Sequence, residues 1–167
     1  MRLIALIATL AALALPAMAE QTLMGRSVVF SVLTYNEKDE PLFVGKRHDA
    51  VVGDGIEFGL VPEGVQNNLD VIPVLIDISA KRLTISFEAS AEALLFDTEF
   101  NGYVLEFLTD CLLFQGAAID AEATTLDMAP DAVFWDRGTL YINAAGFPVT
   151  PETRIAVDFE VADCVIS

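Results

Sequence analysis

From residue 26 onward apolar and polar residues alternate with a period close to two, and turn-forming residues interrupt the pattern at short intervals. Val28, Phe30 and Val32 fall on one side of an extended segment. The polar run Asn36-Glu37-Lys38-Asp39-Glu40-Pro41 then ends it. Short strands are predicted at 42–44, 48–52 and 56–58. The clearest hairpin joins 70–78 to 83–88, with Ile72, Val74, Ile76 and Ile78 on one face and Leu83, Ile85 and Phe87 on its partner. Ser79-Ala80-Lys81-Arg82 supplies the turn. Pro73 has no N–H to give to a ladder, which places the first of these strands at a sheet edge or at a bulge.

Residues 89–97 are rich in alanine and permit a short helix, so the pattern assigns no element there. Strand periodicity resumes at 103–108 and continues through 112–114, 118–125 and 132–136. Arg137-Gly138 then turns the chain into 139–144, where Leu140 and Ile142 share a face. In the last strand Ile155, Val157, Phe159 and Val161 face inward. About nine strands with no linker, repeat or low-complexity stretch predict an all-β domain over residues 20–167. The expected architecture is an antiparallel two-sheet β-sandwich, jelly-roll or immunoglobulin-like, with a barrel as the alternative.

The amino terminus has a different character. Arg2 precedes an apolar run over residues 3–15, followed by Pro16 and the small-residue ending Ala17-Met18-Ala19, the pattern of a secretory signal peptide over residues 1–19. The run is short for a bilayer span and no stop-transfer cluster follows it. The expected destination is the periplasm or the exterior. The 167-residue chain has a formal net charge of −16. Cleavage after Ala19 removes one positive charge and no acid, leaving 148 residues at −17. Such a field repels nucleic acid and anionic membrane surfaces and favours a soluble monomer.

Cys111 and Cys164 are the two cysteines, and export makes a disulfide between them the natural expectation. Closing the 53 positions from one to the other is worth about 4 kcal/mol by chain entropy. A tetrahedral metal site or a catalytic thiol is poorly served by a chain with a single His.

Candidate chemistry is thin. Three acidic clusters have the composition of a Ca²⁺ site: Glu37/Asp39/Glu40, Asp54 with Glu57, and Asp97 with Glu99 beside Asn101. None has the spacing of a calcium-binding loop. A glycoside hydrolase would need two converging carboxylates, for which Glu57, Asp77, Glu88 and Glu106 are the strand-borne candidates. The ordinary role of such residues is a solvated strand face, and Asp77 has Arg82 nearby as a partner. No nucleophile elbow is present, and any triad would depend on His48, within the basic cluster Lys46-Arg47-His48. Internal pairing with acids is the expected role of that cluster. Sugar recognition would use aromatic rings with a polar handle, namely Tyr35, Tyr103, Trp135 and Tyr141. The 11 phenylalanines read as core, and Trp135 and Tyr141 flank one turn.

The strand wording resembles a broad group of exported bacterial proteins, many of which end in a PEP-CTERM sorting tail. Ala50-Val51-Val52-Gly53-Asp54-Gly55-Ile56-Glu57-Phe58 is similar to an early "V-G-x-G-x-E-F" segment of that group. Leu75-Ile76-Asp77-Ile78-Ser79 with Leu83-Thr84-Ile85 is similar to its next hairpin. Phe100-Asn101-Gly102-Tyr103 resembles an "F-N-G-F" strand, and Val133-Phe134-Trp135-Asp136 through Leu140-Tyr141-Ile142-Asn143 a late hairpin. The chain given ends at Val165-Ile166-Ser167 without a Pro-Glu-Pro motif. The resemblance implies a non-enzymatic β-sandwich of the cell surface or extracellular matrix, with a polysaccharide or a surface protein as partner. It transfers no functional residue.

Overall fold

The computed structural model describes residues 21–108 and 112–163. The predicted signal peptide, Cys111 and Cys164 lie outside the described residues. Along the chain run β1 (Ser27–Glu37), β2 (Glu40–Val44), β3 (His48–Val51), β4 (Ile56–Leu60), β5 (Val74–Ile78), β6 (Arg82–Ser86) and β7 (Ala93–Leu94). They are followed by β8 (Phe100–Phe107), β9 (Leu112–Ile119), β10 (Val133–Trp135), β11 (Thr139–Asn143), β12 (Pro148–Val149) and β13 (Arg154–Asp163).

All pairings are antiparallel and form an all-β sandwich. Sheet A has the order β10-β11-β8-β1-β2, with β3 pairing the first half of β1. Sheet B has the order β4-β5-β6-β13-β9, and β7 and β12 form a separate two-stranded ribbon. The sheets are not closed into a barrel; at one side the Phe114 N–H donates to the carbonyl of Arg137 at 3.0 Å, a contact between the margins of the two sheets.

The period-two alternation explains the core. Val28 and Phe30 of β1, Leu105 of β8, Leu140 and Ile142 of β11 turn inward from sheet A. They meet Val74, Ile76 and Ile78 of β5, Leu83 and Ile85 of β6, and Ile155, Val157 and Phe159 of β13. Burying each of these side chains contributes about 1.5–3 kcal/mol. Phe30 stacks on Phe58 with ring centroids 5.5 Å apart, so the sheets interlock through aromatic as well as branched residues.

Several expectations are corrected. The predicted strand at 70–78 is ordered as a strand only over β5, which starts immediately after Pro73. With the proline left outside, every β5 residue has an N–H, and β5 pairs on both sides while β4 takes the edge. The predicted strand at 118–125 stops at Ile119, because the Asp120 carboxylate accepts the N–H groups of Glu122 and Ala123 and closes a turn. Residues 112–114 belong to the longer strand β9. The unassigned stretch 89–97 holds the short strand β7 and no helix. Arg82 does not pair with Asp77: the register sets Arg82 opposite Asp158 and Asp77 opposite Thr84. Arg82 therefore grips Asp158 at 2.7 Å and also pairs with Asp120. Among the described residues, no helix is long and apolar enough to cross a membrane.

Candidate functional site

Register decides which aromatic rings meet. Tyr35 of β1 lies opposite Phe100 of β8, and Tyr141 of β11 lies opposite Phe134 of β10. All four residues point away from the core, on the outer face of sheet A, so four strands contribute to one cluster. Tyr35 stacks on Phe100 at 5.2 Å and Phe134 on Tyr141 at 4.9 Å. Phe100 meets both members of the second pair edge-on, at 5.9 and 6.2 Å. The two stacks are set at right angles and fix each other. Lys38, from the turn between β1 and β2, brings its Nζ to 6.0 Å from the Tyr141 ring centroid.

Phe100 is only 1% exposed, at the centre of the cluster, whereas Phe134 keeps 39% of its surface open. Burial pushes both tyrosine phenols above their ordinary value, with Glu99 adding to the effect at Tyr35 and Asp136 at Tyr141. Both hydroxyls stay protonated at neutral pH and offer a donor beside an apolar surface. Next to Tyr141 the same face carries a shallow groove of about 240 Å³, lined by Leu33, Val44, Val104 and the Arg47–Glu106 ion pair. The face thus joins aromatic carbon, two hydroxyls and a charged pair, the mixture that recognises a molecule with apolar faces and many hydroxyls.

The structure unites two of the four predicted aromatic residues, Tyr35 and Tyr141. Trp135 is set opposite Leu140, so it faces the other way from Tyr141 despite flanking the same turn. It is 41% exposed and stands beside Gly116, Ala117 and Ala118 of β9 over a trough of about 550 Å³. Tyr103 is 2% exposed and lies in the core. Its phenol is pushed up strongly by burial. The reading of every phenylalanine as core is corrected as well. Phe100 and Phe134 are on the outer face, and the alternation set by Leu105 and Tyr103 facing inward is the signal that assigns Phe100 to the outside.

The acidic candidates separate. Ser27 pairs with Val51 at one end of β1 and Tyr35 with Phe100 at the other, which puts Asp54 and Glu57 far from Asp97 and Glu99. Glu57 uses both carboxylate oxygens on backbone, accepting the N–H of Gly53 at 2.9 Å and of Ile78 at 2.6 Å. Those bonds hold the bulge between Ile56 and Phe58. Asp54 is exposed in its turn, and Asp97 sits against Gly146. Among the described residues, no three of His, Cys, Asp or Glu gather as a metal site. Of the four hydrolase candidates, Asp77 and Glu88 share a shallow groove with Arg154 on the outer face of sheet B, while Glu106 lies on sheet A. His48 meets Glu63 at 2.6 Å and Arg47 meets Glu106, so these two members of the basic cluster pair internally.

No protein family matches the chain at the level of sequence, and neither a curated protein nor a solved structure matches it. The geometry of the site therefore carries the functional argument.

Proposed function

We propose that the protein is a non-catalytic exported domain that acts by recognition at the cell surface or in the extracellular matrix, with the outer face of sheet A as its binding surface. The observation that carries this reading is the convergence of Tyr35, Phe100, Phe134 and Tyr141 on one outward face. Rings already locked against one another lose little freedom when a ligand arrives. The class of partner is a polysaccharide, whose C–H faces pack on aromatic rings and whose hydroxyls bond to tyrosine and to charged groups. The leader-like residues 1–19 and the resemblance to exported sorting-tail proteins support a periplasmic or secreted location.

The test is retention of residues 20–167 on a panel of soluble and insoluble polysaccharides, with calcium and EDTA arms and an assay for released sugar. Retention without release, weakened by Phe134→Ala, is the expected result. Loss of retention in EDTA would assign a Ca²⁺ role to Asp54, Glu57, Asp97 or Glu99. Sugar release would point to Asp77 and Glu88 and contradict the non-catalytic reading.

A disulfide between Cys111 and Cys164 belongs to the same proposal. The ladder between β9 and β13 ends with Asp163 opposite Leu112, and Cys164 and Cys111 are the sequence neighbours of these two residues. Thiol titration of the unfolded, unreduced protein is expected to find none; two thiols per chain would refute the bond.

A further inference from the structure

The inner face of sheet A is covered partly by strands and partly by loop. β1 has 11 residues and β8 has 8, against five each in β4, β5 and β6. Phe30 packs on Phe58, and Tyr103 on Phe87 with centroids 6.4 Å apart, so the sheets are in register at the first half of β1. Further along, Val32 and Thr34 of β1, with Asn101 and Tyr103 of β8, border an open space. The space is roofed by the loop 61–73 and by β7.

Beneath that roof is a cavity of about 250 Å³. Its walls are mainly apolar, from Val32, Phe43, Leu69, Ile72 and Leu95, with Thr34, Asn68, Asp70 and Asn101 as polar neighbours, and exposed Leu94 and Phe96 continue the apolar lining to the surface. The loop wall is fastened. Gln66 bonds both the N–H and the carbonyl of Val44, Asn67 donates to the carbonyl of Leu42, and the Asp70 carboxylate accepts the N–H groups of Glu63, Gly64 and Val71. The cavity is therefore preformed.

One end of it is polar. Thr34 donates to Asn101 Oδ1 at 3.0 Å, and Asn101 donates to the carbonyl of Phe96 at 3.0 Å, so the asparagine is committed. Tyr103, almost fully buried and lining the cavity, has no hydrogen-bond partner for its hydroxyl among the described residues. No buried side-chain nitrogen or oxygen among the described residues lacks a partner, so the Tyr103 oxygen keeps contact with open space and is available to a guest.

We propose that this cavity is a binding site for a small, mostly apolar molecule bearing one hydroxyl or carbonyl, which the Tyr103 hydroxyl engages. The apolar body lies between Val32, Ile72 and Leu95, and entry is past Leu94 and Phe96. The site is on the opposite side of sheet A from Phe134 and Tyr141, so it stands or falls independently of the polysaccharide reading.

The test uses 2-naphthol and its near-isostere 2-methylnaphthalene, followed by methyl NMR of the protein. Both probes are expected to shift the methyls of Val32, Leu69, Ile72 and Leu95, with 2-naphthol binding roughly five-fold more tightly, the equivalent of one ordinary hydrogen bond. Tyr103→Phe removes only an unbonded hydroxyl; it is expected to leave the urea midpoint unchanged and to abolish the preference. Ala93→Phe, which adds a ring to the cavity wall, is expected to abolish binding of both probes. The proposal is overturned by absence of shifts up to the solubility limit of both probes, or by a naphthol preference that survives Tyr103→Phe. Binding that Ala93→Phe leaves untouched in a folded sample would overturn it too, and should that variant not fold, Tyr103→Phe alone decides.

Discussion

The two outer faces of the sandwich are built on opposite plans. Sheet B presents Asp77, Thr84, Ser86, Asp158 and Glu160 to solvent, the polar half of an ordinary one-sided antiparallel sheet. Sheet A presents Val29, Leu33, Phe100, Val104, Phe134 and Tyr141 on the face that should be polar. Three of these, Val29, Phe100 and Val104, are buried on that outer side. A strand whose two faces are both apolar is expected where both are covered, and here the second cover consists of neighbouring rings and the long side chains above them. The aromatic face is a second packed layer, closed at Phe100 and open at Phe134 and in part at Tyr35 and Tyr141, and such a layer is where a binding surface differs from a solvated one.

The largest effect is expected at Phe100. Phe100→Ala is expected to cost about 3–5 kcal/mol in urea unfolding, the range of a core aromatic. A cost under about 1 kcal/mol would show that the outer layer is not packed. Next is Gly102, on the same face. A Cβ there would stand 1.9 Å from the Ile142 carbonyl oxygen, so Gly102→Ala must part β8 from β11 and is expected to cost about 3 kcal/mol.

Acid separates the faces by another route. Backbone N–H groups hold the carboxyl of Asp120 below its ordinary value, with Arg82 assisting, and do the same for Asp70. A depressed folded value favours the folded state above the unfolded carboxyl pKa of about 3.9, and that stabilisation is lost as pH falls through the lower folded value. The urea midpoint is therefore expected to fall below about pH 4, and Asp120→Asn to flatten the fall. The tyrosines of sheet A act at the other extreme. Their raised phenols contribute stability that is complete below about pH 10 and lost above it, so these two groups take no part in the acid loss.

Smaller effects sharpen the picture. A double-mutant cycle on Phe134 and Tyr141 is expected to give a coupling of about 0.5–1.5 kcal/mol for their stacked pair. Gly116→Ala on sheet B, where an added Cβ meets nothing within 4 Å, is expected to change stability by no more than about 0.5 kcal/mol.

Much of the fold was legible because period two is a strong signal. The inward sets Val28/Phe30, Val74/Ile76/Ile78, Leu83/Ile85 and Ile155/Val157/Phe159 are all buried as the alternation requires. Strand limits were less legible where a single group decides them, as Pro73 does for β5 and the Asp120 carboxylate does after Ile119. The candidate site was half legible. Tyr35 and Tyr141 carry a polar handle that marks them in sequence, but Phe100 and Phe134 look like any core phenylalanine. Only the cross-strand register, a property of distant segments, puts them beside the tyrosines. The cavity that Tyr103 lines depends likewise on distant segments, the loop 61–73 and residues 93–96, meeting over sheet A, which local pattern does not encode.

The most direct measurement of the central claim is the retention of residues 20–167 on the polysaccharide panel, comparing the unaltered chain with Phe134→Ala and with Thr84→Ala on the outer face of sheet B. The account predicts retention on at least one polysaccharide, lost in Phe134→Ala and kept in Thr84→Ala, with no sugar released. Equal retention of all three chains, or none by any folded chain, would contradict the assignment of the aromatic face of sheet A as the binding surface.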